Sequence, residues 1–252
     1  MGFKKSDGSR KTFANVANGK FRVKAKEGAE GAIERFNKEG SKVWEFLYPE
    51  LEGYITNVEK KTFKYQGADI DQLAITVDDG DEVYEVQCVL GSSPCQSFLA
   101  RAENIDFTQP VTLSAFEYTS VINNEERTFT YLIPKQNGEK MIAVYGREED
   151  GCTKQWPAFK EVIVNKKKAW DKSDRLDEFE RVIDRVKVII DSKPAHIAPA
   201  VAESRFDTPK GVAVVEHASA PGKYNQTTDF DTPSPIAEQA NEEDDFSSDL
   251  PF

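Results

Sequence analysis

The sequence predicts a mainly β domain with two helices, followed by a disordered acidic tail. Three observations support this fold class. Apolar and polar residues alternate at the two-residue period of a half-buried strand in several segments between residues 20 and 164. Tight-turn signals, of which Asn137-Gly138 is the strongest, separate those segments. After Ser192 the periodicity ends, and Pro, Ala, Ser, Thr, Asp and Glu dominate.

The first strands follow a polar N-terminal stretch. Residues 21–26 alternate apolar and basic side chains, which predicts a short strand with one cationic face. The glycine-containing segment 27–40 is predicted to be a loop with at most a brief helix. Residues 43–60 are rich in aromatic and β-branched residues and predict a long strand, in which Pro49 and Gly53 indicate a bend or bulge.

A hairpin and a short helix are predicted next. Residues 73–90 alternate on both sides of the tight-turn signal Asp78-Asp79-Gly80-Asp81. Ser92-Ser93-Pro94 then provides a helix cap and a proline near the first helical position, so a helix of about ten residues is expected to follow.

The second half of the domain is predicted to add strands and a longer helix. Residues 111–118 alternate as a strand, and residues 127–146 form a hairpin around Asn137-Gly138. Residues 162–164 predict an edge strand. The segment 174–191 has one apolar side and is predicted to be an amphipathic helix that ends before Pro194.

The order of the central elements predicts a five-stranded OB-like barrel. Three strands, a short helix and two more strands follow one another, and the first strand is long and bent, as in that fold. The remaining strands are expected as extra hairpin strands, and the C-terminal helix as an addition to the barrel. A different mixed β-barrel has a similar sequence pattern and stays open as an alternative.

Charge divides the chain into an arm, a body and a tail. The whole chain has a net charge of −11, but residues 1–48 carry eleven Lys or Arg against six Asp or Glu. Residues 192–252 hold four basic and eleven acidic residues. We therefore predict a flexible basic arm at 1–19, a folded OB-like domain at 20–191 and a disordered acidic tail at 192–252.

Composition disfavours several classes of protein. Cys88, Cys95 and Cys152 form no C-x-x-C pair, and the only histidines, His196 and His217, lie in the tail. We therefore expect no disulfide framework, no metal site and no cofactor. The sequence contains no apolar run of membrane-spanning length and no secretory signal, so a cytoplasmic protein without membrane contact is expected.

The sequence also argues against an enzyme. It contains neither a phosphate-binding glycine loop with lysine nor a nucleophile elbow. Asp78, Asp79, Asp81 and Glu82 could be imagined as the metal cluster of a nuclease. Their crowding into one tight turn is better explained by the chemistry of the turn itself.

The last residues carry the most specific motif. The chain ends in Asp249-Leu250-Pro251-Phe252, and residues 242–245 just upstream are all acidic. This ending resembles the tails of bacterial single-stranded-DNA-binding proteins, which finish with acidic residues, an aliphatic residue, proline and phenylalanine. Phe252 offers a ring and a free carboxylate that a pocket with an apolar floor and a basic rim can hold together. The candidate partner-binding residues are Asp245, Asp249, Leu250, Pro251 and Phe252.

The architecture extends this resemblance. The body is longer than a single bacterial OB domain and adds a basic arm and a second helix. In these respects it is similar to phage-encoded single-stranded-DNA-binding proteins, which share the fold and an acidic tail. The resemblance implies a protein that binds and protects single-stranded DNA during phage replication, recombination and repair in the host cell cytoplasm. It also implies that the tip docks a polymerase, helicase, primase or nuclease.

The first candidate DNA contact lies between the first two barrel strands. Binding without sequence preference needs cations along a groove and flat rings on which bases stack. Residues 60–67 interleave both and occupy a position that commonly contacts nucleic acid in OB folds. The candidate residues are Lys60, Lys61, Phe63, Lys64 and Tyr65. The alternative is an exposed turn with Phe63 packed back into the barrel.

Further aromatic candidates lie on other strands. Phe116 and Tyr118 share the strand face opposite Val111 and Leu113, where exposed rings would form a stacking platform. The alternative places both in a second small core under the C-terminal helix. Trp44, on the long first strand, is a candidate of the same kind.

Basic residues of the first predicted strand complete the candidate site. Arg22, Lys24 and Lys26 are predicted to follow phosphates, although a basic run can also be merely a solvated face. The sequence therefore predicts a non-enzymatic protein that coats single-stranded DNA and recruits partners through its tip. The alternative is a replisome or recombination adaptor that uses the tail but binds little DNA.

Overall fold

The computed structural model describes residues 11–37, 40–65, 67–122, 124–147, 150–164 and 167–193. Within these residues the chain forms twelve strands and two helices, which confirms the mainly β class. The predicted tail and its tip from residue 194 onwards, and the predicted arm up to residue 10, lie outside the described residues.

The elements follow one another in nearly the predicted order. The strands are β1 (Thr12–Ala17), β2 (Lys20–Lys24), β3 (Ile33–Phe36), β4 (Lys42–Tyr48), β5 (Glu50–Tyr65), β6 (Ala68–Asp78), β7 (Val83–Val89), β8 (Val111–Ile122), β9 (Glu125–Gln136), β10 (Glu139–Lys140), β11 (Lys160–Val164) and β12 (Lys167–Asp171). The helices are α1 (Ser93–Ala102) between β7 and β8, and α2 (Ser173–Asp191) after β12. Both predicted helices are thus confirmed.

Ten of the strands form one mixed sheet. Its order is β10-β9-β8-β5-β6-β7-β1-β2-β4-β3, and β11 and β12 form a separate two-stranded sheet. The pair of β1 and β7 is parallel, whereas the other strand pairs among the described residues are antiparallel. This pairing leaves the sheet open, so the closed five-stranded barrel stays a prediction.

Strand β5 organises the centre of the sheet. Its residues 50–53 pair with β8 and its residues from Tyr54 onwards pair with β6, and the register of the β6 pairing shifts between Ile55 and Asn57. The bend predicted at Pro49 separates β4 from β5. Gly53 is required here, because a Cβ atom at this position would lie 2.7 Å from the backbone oxygen of Asp78.

Strand β1 lies where the sequence predicted part of a flexible arm. It pairs with β7 on one side and β2 on the other, and Ala14 and Val16 reach the core. The turn at Asn18 and Gly19 has positive φ at both residues, and a side chain on Gly19 would collide with the backbone of β8. A short polar segment becomes a strand here because two partners satisfy its backbone, which its composition does not reveal.

Two other elements differ from the predicted ones. Residues 33–36, within a predicted loop, form edge strand β3 against β4. The hairpin at Asn137-Gly138 is present, but its second strand β10 is only two residues long. The chain leaves β9 after Met141, whose N–H donates to Pro134 at 3.0 Å, and then turns to α1, where the backbone N–H of Val144 donates to the carbonyl oxygen of Ala100 at 2.7 Å.

The core lies between the sheet and the two helices. Phe98 and Leu99 of α1 and Phe179 and Val182 of α2 are buried together with the inward residues of the strands. The Ser97 hydroxyl ties α1 to β9, since it donates to the carbonyl oxygen of Leu132 and accepts from its N–H. The apolar side predicted for α2 is therefore the side that packs on the core.

The segment between β10 and β11 packs against α2 and holds its position. The Trp156 ring stacks on Tyr145 with centroids 4.0 Å apart and meets Phe179 edge-on at 4.7 Å. Arg185 of α2 donates to Glu103 at 2.7 Å and to the Tyr145 hydroxyl at 2.6 Å. Both helices thus lie on one side of the sheet.

Candidate nucleic-acid interface

Five of the eleven predicted DNA-binding residues, contributed by β2 and β5, lie on the side of the sheet that faces away from the helices. Directly paired residues of neighbouring strands point to the same side, as does every second residue along a strand. The row that crosses the sheet on this side contains Glu59, Ala74, Gln87, Asn15 and Arg22. We call this side the outer face. Among its residues are Lys11, Phe13, Asn15, Lys20, Arg22, Lys24, Arg35, Glu45, Leu47, Asn57, Glu59, Lys61, Phe63, Tyr65, Gln72, Ala74, Thr76, Glu85 and Gln87.

The outer face gathers five of the predicted residues from two distant parts of the chain. These are Arg22, Lys24, Lys61, Phe63 and Tyr65. Because Lys20 lies two residues before Arg22, it extends the basic residues of β2 to a row of three cations. The outward side chains of β2 include three basic residues and no acidic one, in a chain whose net charge is −11. The charge of this row therefore suits a polyanion.

Strand β1 adds Phe13, which the sequence analysis did not single out, and Lys11 lies directly before the strand. Phe13 pairs with Glu85 of β7 and is 45% exposed, and Lys11 approaches Glu85 with its Nζ 3.6 Å from the carboxylate. The alternation of Ala14 and Val16 with Phe13 was the available signal. It is short and follows a polar stretch, so it did not distinguish a strand from an arm.

Glu85 is a buried carboxylate on the outer face that binds two of its lysines, Lys61 and Lys11. Its side chain is buried and accepts two hydrogen bonds of 2.7 Å from Lys61 and one of 2.8 Å from Gln87. Burial alone raises the pKa of this carboxyl, but the bonds from Lys61 and Gln87 outweigh it, so the pKa lies below its ordinary value. Lys61 is therefore held by an internal carboxylate that a phosphate must replace.

A floor of buried polar groups lies beside Glu85. Gln72, Thr76 and Gln87 are almost fully buried and surround the small side chain of Ala74. Within the described part of the chain, Gln72 Nε2, Thr76 Oγ1 and Gln87 Oε1 have no hydrogen-bond partner. Buried polar atoms are normally satisfied, so three such atoms on one face mark it as a place where a polar ligand or water is accommodated.

Lys60 and Lys64 lie on the other side of β5. Lys60 pairs across the sheet with the core residue Leu73, and its Nζ donates to Glu180 of α2 at 2.7 Å. Lys64 pairs with Asp69 on that side. Residues 60–65 belong to the β5–β6 hairpin rather than to a loop, and strand alternation therefore separates these two lysines from Lys61.

Trp44 and Lys26 are also not part of the outer face. Trp44 is half-buried on the helix-facing side of β4, where Phe46 and Tyr48 follow it with ring centroids 6.3 Å apart. Lys26 lies in the turn after β2 and is exposed. The structure thus divides the predicted site between two sides of one sheet.

Phe116 and Tyr118 form an aromatic ladder with residues of β9. Phe116 stacks on Tyr131 with centroids 5.6 Å apart, and Tyr118 pairs with Phe129 and is 39% exposed. The buried residue Ala115 points to the opposite side, where α2 contributes to the same core. The ladder therefore lies away from α2 and forms no second core beneath it.

The acidic residues around Gly80 are used by the turn. Gly80 N–H donates to Asp78, and the N–H groups of Asp81 and Glu82 donate to Asp79 at 2.9 and 2.7 Å. These side chains stabilise the hairpin between β6 and β7, as the spacing predicted. Among the described residues, no group of three or more His, Cys, Asp or Glu is arranged to hold a metal ion.

No family model matches the chain, and no curated protein or solved structure matches it. In the part of the chain that the structure describes, no helix is both long and apolar enough to cross a membrane. The resemblance to single-stranded-DNA-binding proteins thus remains a prediction from the tip and from the order of the elements.

Proposed function

We propose that this chain binds single-stranded DNA on the outer face. The observation that carries the proposal is that the row of cations on β2 and the rings of Phe13 and Phe63 share one side of the sheet. Cations hold phosphates, and flat rings stack on bases whatever their identity. Bases are free to stack on protein rings only when they are not stacked within a duplex, so the combination favours a single strand.

The architecture supports the same proposal. The strands β5, β6 and β7, then α1, then β8 and β9 succeed one another in the order of an OB fold, and β5 pairs with both hairpins. We propose that these five strands are an OB-like unit, to which β1 and β2 are added at the edge of β7. Such folds hold single strands against their sheet surface and neighbouring loops.

The proposal extends to the tail. The protein would coat single-stranded DNA in the host cell cytoplasm during phage replication, recombination and repair. The tip Asp249-Leu250-Pro251-Phe252 would recruit a replication or recombination protein. No catalytic step and no cofactor is part of this function.

A titration with oligo-dT at two salt concentrations tests the proposal. We expect affinity to fall steeply as salt rises, because phosphate contacts release counterions. Replacement of Lys20 and Lys24 by Ala should flatten the logarithmic salt slope by about 1.4, since each lost contact to a single strand is worth about 0.7. The control replaces two lysines that lie off the outer face, Lys187 and Lys193.

The outcomes of that titration separate the two candidate functions. No binding by the wild-type chain at low salt would refute the proposal and leave the adaptor alternative. Equal slopes for the Lys20/Lys24 variant and its control would remove the β2 row from the site while DNA binding itself stands.

Replacement of the outer-face rings tests stacking separately from charge. Phe13→Ala and Phe63→Ala are each expected to weaken oligo-dT binding by about fivefold, since base stacking on one ring is worth about 1 kcal/mol or more. The salt slope should stay unchanged, because a stacked base releases no counterion. Phe36→Ala, which removes an exposed ring of β3 on the other side of the sheet, is the matched control. A lower urea midpoint for Phe63→Ala, with unchanged binding at equal folded fraction, would mean that this ring only packs.

A further inference from the structure

The hairpin of β11 and β12 presents a second surface of unusual composition. Its register pairs Glu161 with Trp170 and Ile163 with Lys168, so these four side chains share one side, which we call the hairpin face. Ile163 is 76% exposed and Trp170 43% exposed. The opposite side is less exposed, since Val162 is half-buried.

The open end of the hairpin, at residues 159 and 160, contacts the start of α2. Lys160 forms an ion pair with Asp174, and the guanidinium of Arg175 lies 3.9 Å from the centre of the Phe159 ring. These contacts hold the hairpin against α2, so Trp170 is exposed on an element whose position is fixed.

Charge identifies the kind of partner that fits. Segment 160–172 carries five lysines against two acidic residues, whereas the whole chain has a net charge of −11. On the hairpin face, the Nζ of Lys168 lies 2.9 Å from Glu161, and both side chains are largely exposed. Such a surface pair is weak and readily exchanges its carboxylate for a phosphate.

We propose that the hairpin face is a second contact for single-stranded nucleic acid. A base stacks on the indole of Trp170 beside Ile163, and a phosphate replaces Glu161 at Lys168. A neutral apolar partner would not use the lysines, and a purely acidic partner would not use the indole, whereas a single strand uses both. This inference rests on the proposed function and adds a second contact to that of the outer face.

Two contacts on one strand make affinity depend on strand length. A short oligonucleotide occupies one surface at a time, whereas a longer one joins both and gains from the high local concentration of its second part. The hairpin face should therefore contribute to the binding of long strands and little to that of short ones.

The experiment uses the full-length chain with oligo-dT of about 8 and about 40 nucleotides, lengths on either side of the usual site of one OB fold. Trp170→Ala should bind the short strand like the wild type and the long strand about fivefold more weakly, the loss of one stacked base. Trp170→Phe should restore most of the loss, because a phenyl ring still stacks. Val188→Ala, which removes exposed apolar surface from α2, is the matched control.

A charge variant provides an independent measurement. Lys168→Glu should weaken the binding of the long strand and flatten its salt slope, while Lys187→Glu, with the same charge change on α2, should do so less. Wild-type affinity of Trp170→Ala for the long strand would overturn the inference while the proposed function stands. Equal losses on both lengths would overturn the separate contact, and no binding by the wild type would refute the proposed function and this inference together.

Discussion

Truncation after Ser192 is expected to raise the affinity for oligo-dT roughly tenfold at low salt, because it removes a tethered competitor. The removed segment carries eleven acidic and four basic residues, whereas β2 places three basic residues on the outer face. A tether that stays unfolded, as its composition predicts, keeps those acidic residues at a local concentration of about 1 mM. If the tail occupies the outer face with a dissociation constant near about 0.1 mM, DNA must displace it at about that tenfold cost.

Salt dependence separates this competition from other effects of truncation. The gain should be largest at about 10 mM salt, where charges act over about 30 Å, and should shrink as salt rises. Fluorescence anisotropy with a labelled oligonucleotide measures both affinities. A urea titration of the truncated chain checks that the domain keeps its unfolding midpoint without the tail.

Two full-length variants serve as controls for the truncation. Neutralisation of the acidic residues 242–245 should raise affinity in the same direction by a smaller factor, because part of the acidic charge remains. Deletion of Phe252 alone should leave DNA affinity nearly unchanged, since it removes a docking group rather than side-chain charge from the tail. Equal affinities of truncated and full-length protein at low salt would refute the competition.

Glu85→Gln is expected to lower the free energy of unfolding by about 2 kcal/mol and to raise the affinity for single-stranded DNA. The carboxylate is buried, and it holds Lys61 by two hydrogen bonds and Lys11 at 3.6 Å. Loss of one member of a buried pair is costly, but the Lys61 side chain is 39% exposed, so water compensates part of the loss.

The free energy of unfolding that Glu85→Gln removes should depend on pH, in a direction that follows from the pKa of Glu85. Since the pKa of Glu85 in the folded protein lies below its ordinary value, the ionised group stabilises the fold fully above the unfolded-state pKa. That contribution is lost as the pH falls through the folded-state pKa. The stability difference between wild type and Glu85→Gln should therefore narrow between pH 7 and about pH 3, and urea unfolding at several pH values measures it.

The Glu85→Gln substitution should raise the affinity for DNA although it lowers stability. With Glu85 neutral, Lys61 keeps a partly exposed ion pair with Glu59 at 3.3 Å, which a phosphate can replace, so the salt slope should steepen by about 0.7. Glu139→Gln makes the same charge change at an exposed site on β10 and is the matched control. A destabilised Glu85→Gln protein with an unchanged salt slope would mean that Lys61 serves only the fold.

The elements that the sequence predicted well are those with local signals. The turn at residues 78–82 is formed by its own side chains, and Ser92-Ser93-Pro94 starts α1 where expected. The apolar side of segment 174–191 predicted both α2 and which side of α2 is buried. This was possible because the 3.6-residue period of a helix is visible in the local sequence. Strands β1, β3 and β12 were missed, since a short strand is stabilised by its pairing partners more than by its own sequence.

The sequence predicted which types of residue form the candidate site, but not which of them share one face of the sheet. Lys60 and Lys61 are neighbours in the sequence, yet the register places Lys60 against Glu180 of α2 and Lys61 on Glu85 of β7. Phe13 joined the site only because β1 pairs in parallel with β7. Which lysine faces a ligand depends on strand alternation counted from a fixed register, and the sequence of residues 60–65 does not define that register.

The sequence by itself determined the mainly β class, both helices, the acidic tail and the composition of its tip, because each is expressed in local periodicity, turn chemistry or charge. Only the tertiary structure decided that basic and aromatic residues from β1, β2 and β5 share one face, and that the buried carboxylate of Glu85 holds Lys61. These are contacts between residues up to about seventy positions apart in the chain. Their geometry follows from strand pairing across the whole sheet, and a register shift of one residue would reverse it.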